Sequence, residues 1–252
     1  MLDQFRLTGK VAIVTGANAG LGQAMAMALA DAGASVALVG RRAASETLGQ
    51  IQSLGGRAYT IIADLANTQS LPKIMSETIE HFGQADILVN NAGIIRREDS
   101  IHFSEQDWDE VMATNLKTPM FLSQAFARHL LARKSSGKII NIASMLSFQG
   151  GIRVPSYTSS KSGLLGLTRL LACEWAQYGV NVNAIAPGYM ETNNTLALRN
   201  DEERNRQIVG RIPAGRWGKP QDLAGAVVFL ASAASDYVHG YTVAVDGGWL
   251  AR

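Results

Sequence analysis

The feature that most constrains this chain is a short apolar run, Val11-Ala12-Ile13-Val14. It gives way at once to Thr15-Gly16-Ala17-Asn18-Ala19-Gly20-Leu21-Gly22, and then to an Ala- and Met-rich helical pattern that stops at Gly33. A continuous apolar run of this length reads as a strand buried on both faces, which belongs in a parallel sheet. Strand, glycine turn and helix in that order make a phosphate-binding unit. The glycines let the backbone approach a ligand, and the first helical turn offers N–H donors and the positive end of its dipole. The spacing is G-x-x-x-G-x-G rather than G-x-G-x-x-G, so the turn alone is also compatible with a structural role; its place between strand and helix favours the nucleotide reading.

The same rhythm continues along the chain. Ser35–Val39, Ala58–Ile62, Asp86–Val89, Lys138–Ala143, Val180–Ile185 and a run near Tyr241–Val245 read as strands, with helical patterns between them. Asn67 or Thr68 is placed to cap one of those helices and Ser104 another. Alternation of this kind predicts an α/β fold, a doubly wound parallel sheet of about seven strands (a Rossmann fold). Residues 1–252 are expected to form a single dinucleotide-binding catalytic domain, with a mobile, charged, substrate-covering segment at about 189–215. Ligands of such sheets bind beyond the C-terminal strand ends, where Gly16, Gly40, Asp64 and Gly93 fall. The second strand ends in Gly40-Arg41-Arg42, with two guanidiniums where an NAD-binding fold carries an acid for the ribose 2′-hydroxyl. That leans to NADP(H); the alternative is two solvated arginines.

Composition closes off other classes. Basic and acidic residues number 23 and 21, for a formal net charge of +2, with no basic run, so nucleic-acid binding has no electrostatic support. Cys173 is the single cysteine, which rules out an internal disulfide, and no His/Cys/carboxylate cluster argues for a metal. Cys173 lies on an apolar helix and reads as a buried small hydrophobe. No apolar run reaches the ~20 residues a membrane span needs, and the first ten residues lack a signal-peptide core. A cytoplasmic protein without membrane or nucleic-acid partners is expected.

Tyr157 and Lys161 stand four residues apart in Tyr157-Thr-Ser-Ser-Lys161, on one face of a helix. A nearby ammonium favours a phenolate, so Lys161 could lower the pKa of Tyr157 and suit it to exchange a proton with a carbonyl or alcohol oxygen. An isolated Y-x-x-x-K is common on ordinary surface helices; the remaining motifs give this one its meaning.

Those motifs are Thr15-Gly16-x-x-x-Gly20-x-Gly22, Asn90-Asn91-Ala92-Gly93, Asn115, Ser144, Tyr157-x-x-x-Lys161 and Pro187-Gly188. In this order the chain resembles the classical short-chain dehydrogenase/reductase family over nearly its whole length. The resemblance implies that Tyr157 is the general acid/base, that Ser144 hydrogen-bonds the substrate oxygen, and that Lys161 tunes Tyr157 and holds the nicotinamide ribose. It implies that Asn115 interrupts its helix and supports a proton relay. It places the NAD(P) phosphates at Gly16, Asn18, Ala19, Gly20, Leu21 and Gly22, and the adenine beside Asp64 and Leu65. Asn90, Asn91, Ala92 and Gly93 should lie along the cofactor, and Pro187, Gly188, Met190 and Thr192 beside its nicotinamide.

Longer stretches, Ile95–Asp99, Ser144–Tyr157, Pro187–Asn194 and Asp246–Arg252, are similar to the sugar-acid branch of that family, the 2-deoxy-D-gluconate 3-dehydrogenase group, which is usually linked with NAD(H). Arg153 is then the leading candidate for the substrate carboxylate, with Arg96 on the opposite wall and Gln149 and Asn193 for hydroxyls. The alternative pairs Arg153 with Glu98 or Glu191. Rival readings are a 3-oxoacyl-(acyl-carrier-protein) reductase and, more remotely, a non-catalytic nucleotide-sensing protein, against which the intact Asn115, Ser144, Tyr157 and Lys161 argue. A homotetramer is implied by the family. The leucines at 164, 165, 167, 170 and 171 and the Trp249-Leu250 pair are compatible with either an interface or a core.

Overall fold

Strand β1 (Val11–Thr15) is buried at every residue and lies at the middle of the molecule. The computed structural model describes all of residues 1–252. Strand β2 (Ser35–Gly40) and β4 (Ile87–Asn90) flank β1, with Ile13 level with Ala37 on one side and Leu88 on the other. With β3 (Ala58–Ile62), β5 (Gly137–Ile142), β6 (Val180–Pro187) and β7 (Thr242–Val245) they form one seven-stranded, wholly parallel sheet in the order β3-β2-β1-β4-β5-β6-β7. The order reverses at β1, so the crevice between the C-terminal ends of β1 and β4 is the switch point where ligands of such sheets bind.

Alternation along the strands builds two cores. Ala12, Val14, Val36 and Leu38 face α1 (Gly20–Asp31), α2 (Ser45–Ser53) and a late helix, Ala224–Ala231. Ile13, Ala37, Val39 and Leu88 face α3 (Leu71–Phe82) on the other side. Two more helices complete that layer, α5 (Thr118–Ala132), entered through α4 (Glu105–Met112) and a π-turn at Ala113–Lys117, and α6 (Pro155–Trp175), which follows β5. Each fully buried Leu or Ile in these layers contributes about 1.5–3 kcal/mol of transfer free energy, so both faces must be covered and the doubly wound arrangement follows.

The polar stretch expected to cover the site folds into α7 (Leu196–Asn200) and α8 (Glu202–Arg211), the latter capped by Asp201. It has a small apolar core of its own, where Ile208, Ile212 and Trp217 meet Met145 and Trp249. The final helix, α9 (Ala224–Ala231), returns under α1. No helix is long and apolar enough to cross a membrane.

One expectation changes here and one open alternative is resolved. Cys173 is exposed, because it falls on the stripe of α6 that faces away from the sheet. Leu164, Leu165 and Leu171 on the inner stripe are core residues and Trp249 is also buried, leaving Leu170 exposed.

Candidate active site

The glycine turn is held open by its neighbours. Gly16 has φ +67° and Gly20 φ +58°, conformations that side chains rarely adopt. A Cβ on Gly22 would lie 2.1 Å from the Gly16 carbonyl oxygen, so only glycine lets α1 start this close to the turn. Helix α1 begins after Ala19 with no side-chain cap, leaving its first N–H groups to a ligand or to water. Thr15 and Asn91 lock the turn to the end of β4. The Thr15 hydroxyl accepts the backbone N–H of Asn91 and of Ala92 at 2.9 and 3.0 Å, and the Asn91 amide donates to the Thr15 and Gly16 carbonyls at 2.8 and 3.2 Å. Thr15 opens the turn motif, but its hydroxyl carries no signal in the sequence for this bracing role.

A single cleft of about 2060 Å³ runs from this turn across the C-terminal strand ends. Gly16, Asn18, Ala19, Gly20, Leu21, Gly22, Arg41 and Arg42 line one end. Asn91, Ala92, Gly93, Pro187, Gly188, Met190 and Thr192 line the middle, and Ser144, Tyr157 and Lys161 line the other end with Gln149, Arg153 and Asn193. An uncapped helix start, a glycine cradle and two exposed guanidiniums without carboxylate partners fit the phosphates and ribose of a dinucleotide.

Not every expected residue reaches the cleft. The Asn90 side chain is turned into the sheet, where its amide donates to Ser123 Oγ at 3.0 Å and Asn141 Oδ1 at 2.9 Å, so it braces β4 against β5 and α5. Asp64 and Leu65 lie outside the lining. The Asp64 carboxylate caps its own loop at Ala66 N, and the Leu65 carbonyl accepts from Thr118. Arg96 is drawn off by Asp107 and Glu110 of α4, at 3.1 and 2.8 Å. Arg153 does line the cleft, but its guanidinium faces Glu98 and Asp99 at 3.5 and 3.2 Å, and its backbone sits at φ +62°, a strained value for a non-glycine residue. A guanidinium already neutralised by two carboxylates is a poor anchor for a third. The neighbour that reading the sequence passed over, Arg97, lines the cleft with no carboxylate partner; one N–H donates to the Asn194 carbonyl at 3.3 Å.

The reacting end is built by three elements. Ser144 follows β5 in an extended conformation, and its hydroxyl accepts the Leu146 N–H at 3.1 Å. The Ser147 hydroxyl accepts the Ser144 N–H at 3.3 Å and donates to the Lys161 carbonyl at 2.7 Å. Lys161, 3% exposed, donates from Nζ to the Ile142 carbonyl at 2.5 Å and lies 5.7 Å from the centre of the Tyr157 ring. Asn115 sits in the π-turn, where widened backbone geometry often marks functional positions. Its side chain exchanges two hydrogen bonds with the Ile94 backbone, at 2.8 and 2.9 Å. A third, at 3.3 Å, goes to Ser160 Oγ on the helix of Tyr157.

Burial dominates the ionisation here. It pushes the Tyr157 phenol above its ordinary value, while the neighbouring Ser144 hydroxyl and the charge of Arg97 pull it down. Burial also lowers the Lys161 ammonium, to about 8, which still leaves it charged at neutral pH. In this arrangement the charge that favours the phenolate comes from Arg97.

A family described as enoyl-(acyl carrier protein) reductase matches residues 16–250. Over 252 residues, the whole of both chains, this chain is 60% identical to a 2-dehydro-3-deoxy-D-gluconate 5-dehydrogenase from Escherichia coli. A solved structure from Agrobacterium tumefaciens, provisionally assigned as a 2-deoxy-D-gluconate 3-dehydrogenase and holding NADP, is similar with a TM-score of 0.95 at 60% identity, covering 99% of this chain and 100% of that one. Similarity to a 3-oxoacyl-(acyl-carrier-protein) reductase from Vibrio cholerae is lower, 41% identity over 244 residues, which is 96% of this chain and 98% of that protein.

Proposed function

The chain belongs to the short-chain dehydrogenase/reductase family, and from that premise we propose that it interconverts a hydroxyl and a keto group on a small sugar acid such as 2-dehydro-3-deoxy-D-gluconate. It is an NAD(P)-dependent oxidoreductase acting on CH–OH groups. The observation that carries the substrate class is the lining of one cleft by Ser144, Tyr157, Lys161 and the carboxylate-free guanidinium of Arg97. A fatty acyl thioester would leave that charge unused, whereas an oxygen-rich acid uses it.

The bound nicotinamide supplies or accepts the hydride. The residues of the chain handle the proton and the charge. Reduction builds negative charge on the substrate oxygen, and the hydroxyls of Ser144 and Tyr157 are the donors placed to meet it. Tyr157 gives its proton in that direction and takes one in the other. Arg97 holds the resulting phenolate and orients the hydroxyls beside the reacting carbon. Lys161 would contact the nicotinamide ribose, and Gly16–Gly22 with Arg41 and Arg42 would hold the phosphates, including the 2′-phosphate of NADP(H). Asn115 fixes the turn after β4 at Ile94 and, through Ser160, the first turns of α6.

We propose further that residues 189–215 close over the substrate, supported by Arg97 meeting the Asn194 carbonyl across the cleft. A homotetramer is supported by two separate exposed apolar surfaces. One comprises Phe121 and Leu170 on α5 and α6; the other comprises Tyr237 and Tyr241 beside the edge strand β7. Dihedral tetramers need two such self-complementary patches. The reaction is tested by incubating the enzyme with NADP⁺ or NAD⁺ and the sugar acid and locating the new carbonyl by NMR. Oxidation at C5 supports the reading, and no oxidised product with either cofactor contradicts it.

A further inference from the structure

We infer that Arg211 holds the carboxylate of the substrate, at the end of the pocket away from the reacting carbon. The inference rests on the sugar-acid reading and adds the residue that selects the acid. In a gluconate skeleton oxidised at C5, the carboxylate is C1, four carbon–carbon bonds from the carbon whose oxygen meets Ser144 and Tyr157. A cation whose charge reaches the Tyr157 phenol, as that of Arg97 does, stands beside C5 and its neighbours. The carboxylate needs a second cation farther along the cleft.

The other cations of the cleft are accounted for. Arg41 and Arg42 follow β2 at the glycine-turn end. Lys161 is buried, with one N–H on the Ile142 carbonyl and the others assigned to the nicotinamide ribose. Arg153 is neutralised by Glu98 and Asp99, and Arg204 donates to Gln207 Oε1 on its own helix at 3.1 Å. Arg211 is different. It is the last residue of α8, lines the same cleft, and makes no ion pair and no side-chain hydrogen bond. Its guanidinium carbon lies 4.1 Å from the centre of the Trp249 ring. A stacked guanidinium keeps its N–H edge free and fixed in direction, the geometry that receives a carboxylate in a fork.

The platform is itself immobilised. Trp249 is 4% exposed, packs edge-on against Tyr189 with ring centres 4.9 Å apart, and donates its indole N–H to Gln149 Oε1 at 3.1 Å. With its carbonyl accepting from the indole, the group of Gln149 left without a partner is its amide NH₂. Both free groups at this corner, the Arg211 edge and the Gln149 amide, are donors. The group they suit is an acceptor, and a carboxylate is the strongest one on the substrate. Gln149 lies on the loop that begins at Ser144, so this corner and the reacting oxygen belong to one pocket.

The test compares 2-dehydro-3-deoxy-D-gluconate with its neutral methyl ester, using the wild type, Arg211→Met and Arg211→Lys at saturating cofactor. The wild type should favour the acid. In Arg211→Met the acid-to-ester ratio of kcat/KM should fall by roughly ten- to a hundredfold, chiefly through KM, and Arg211→Lys should recover part of it. If Arg211→Met loses acid and ester alike, or leaves the ratio unchanged, Arg211 only covers Trp249 and the assignment is overturned while the sugar-acid reading stands. A wild type that turns over the ester as well as the acid also overturns the assignment, and one that oxidises neither overturns the sugar-acid reading with it.

Discussion

The hydroxyl of Ser147 donates to the backbone carbonyl of Lys161 over 2.7 Å, and thereby ties the loop that carries Ser144 to the helix that carries Tyr157. The same oxygen accepts the N–H of Ser144 at 3.3 Å, so a single atom joins the backbone of Ser144 to that of the Tyr157 helix. Small misplacements of reacting groups are costly to rate. Ser147→Ala should lower kcat by roughly tenfold and leave the Kd for the cofactor unchanged. Ser147→Thr, which keeps the hydroxyl, should restore most of the loss. Unchanged kcat in the alanine variant would show that the tie has no part in positioning.

Tyr157→Phe removes the proton donor and keeps the ring. General acid–base catalysis is worth ~10²–10⁴-fold, so kcat should fall by at least ~10². Cofactor binding, followed by fluorescence of the reduced nicotinamide, should be nearly intact. Retention of more than about a tenth of the activity, less loss than that mechanism allows, would move the proton transfer to another group.

The depressed pKa of Lys161 has a consequence for stability. Its folded value is about 8 against an ordinary 10.5, so from pH 8 to 10.5 the unfolded chain binds a proton that the folded chain does not. Stability from this group is present above 10.5 and is lost as the pH falls through 8. In urea melts without cofactor, the stability advantage of Lys161→Met over the wild type should shrink as the pH rises through that window. A difference that stays flat would mean that burial does not depress the Lys161 pKa.

Arg41 and Arg42 lie at the cofactor end of the cleft without acidic partners. Replacing both by Ala should cut kcat/KM with NADP(H) by roughly tenfold or more, one or two charge-assisted hydrogen bonds, and leave NAD(H) little changed. Equal losses with both cofactors would assign them to the shared pyrophosphate, and no loss would leave them as surface charges.

What could be read from the sequence was local. The β1 turn and α1 follow from adjacent residues, and Ser144, Tyr157 and Lys161 each fall at a marked position beside a strand end or within one helical turn. The substrate side was harder for a physical reason. Residues 91–99 form neither helix nor strand, so no periodicity says which of Arg96 and Arg97 enters the cleft. The choice is made by Asp107 and Glu110 on a distant helix. Arg153 was likewise decided by Glu98 and Asp99 across a loop. Asn90 sits in a motif that suggests ligand contact, yet its side chain satisfies buried partners on β5 and α5. The Arg211–Trp249–Gln149 corner joins three parts of the chain that no spacing rule connects.

The most direct test of the account is the kcat/KM of the wild-type enzyme for 2-dehydro-3-deoxy-D-gluconate against that for an acetoacetyl thioester, each assayed in its own direction by the absorbance of the reduced nicotinamide. Efficient turnover of the sugar acid and little of the thioester is expected. Efficient reduction of the thioester with no oxidation of the sugar acid would contradict it.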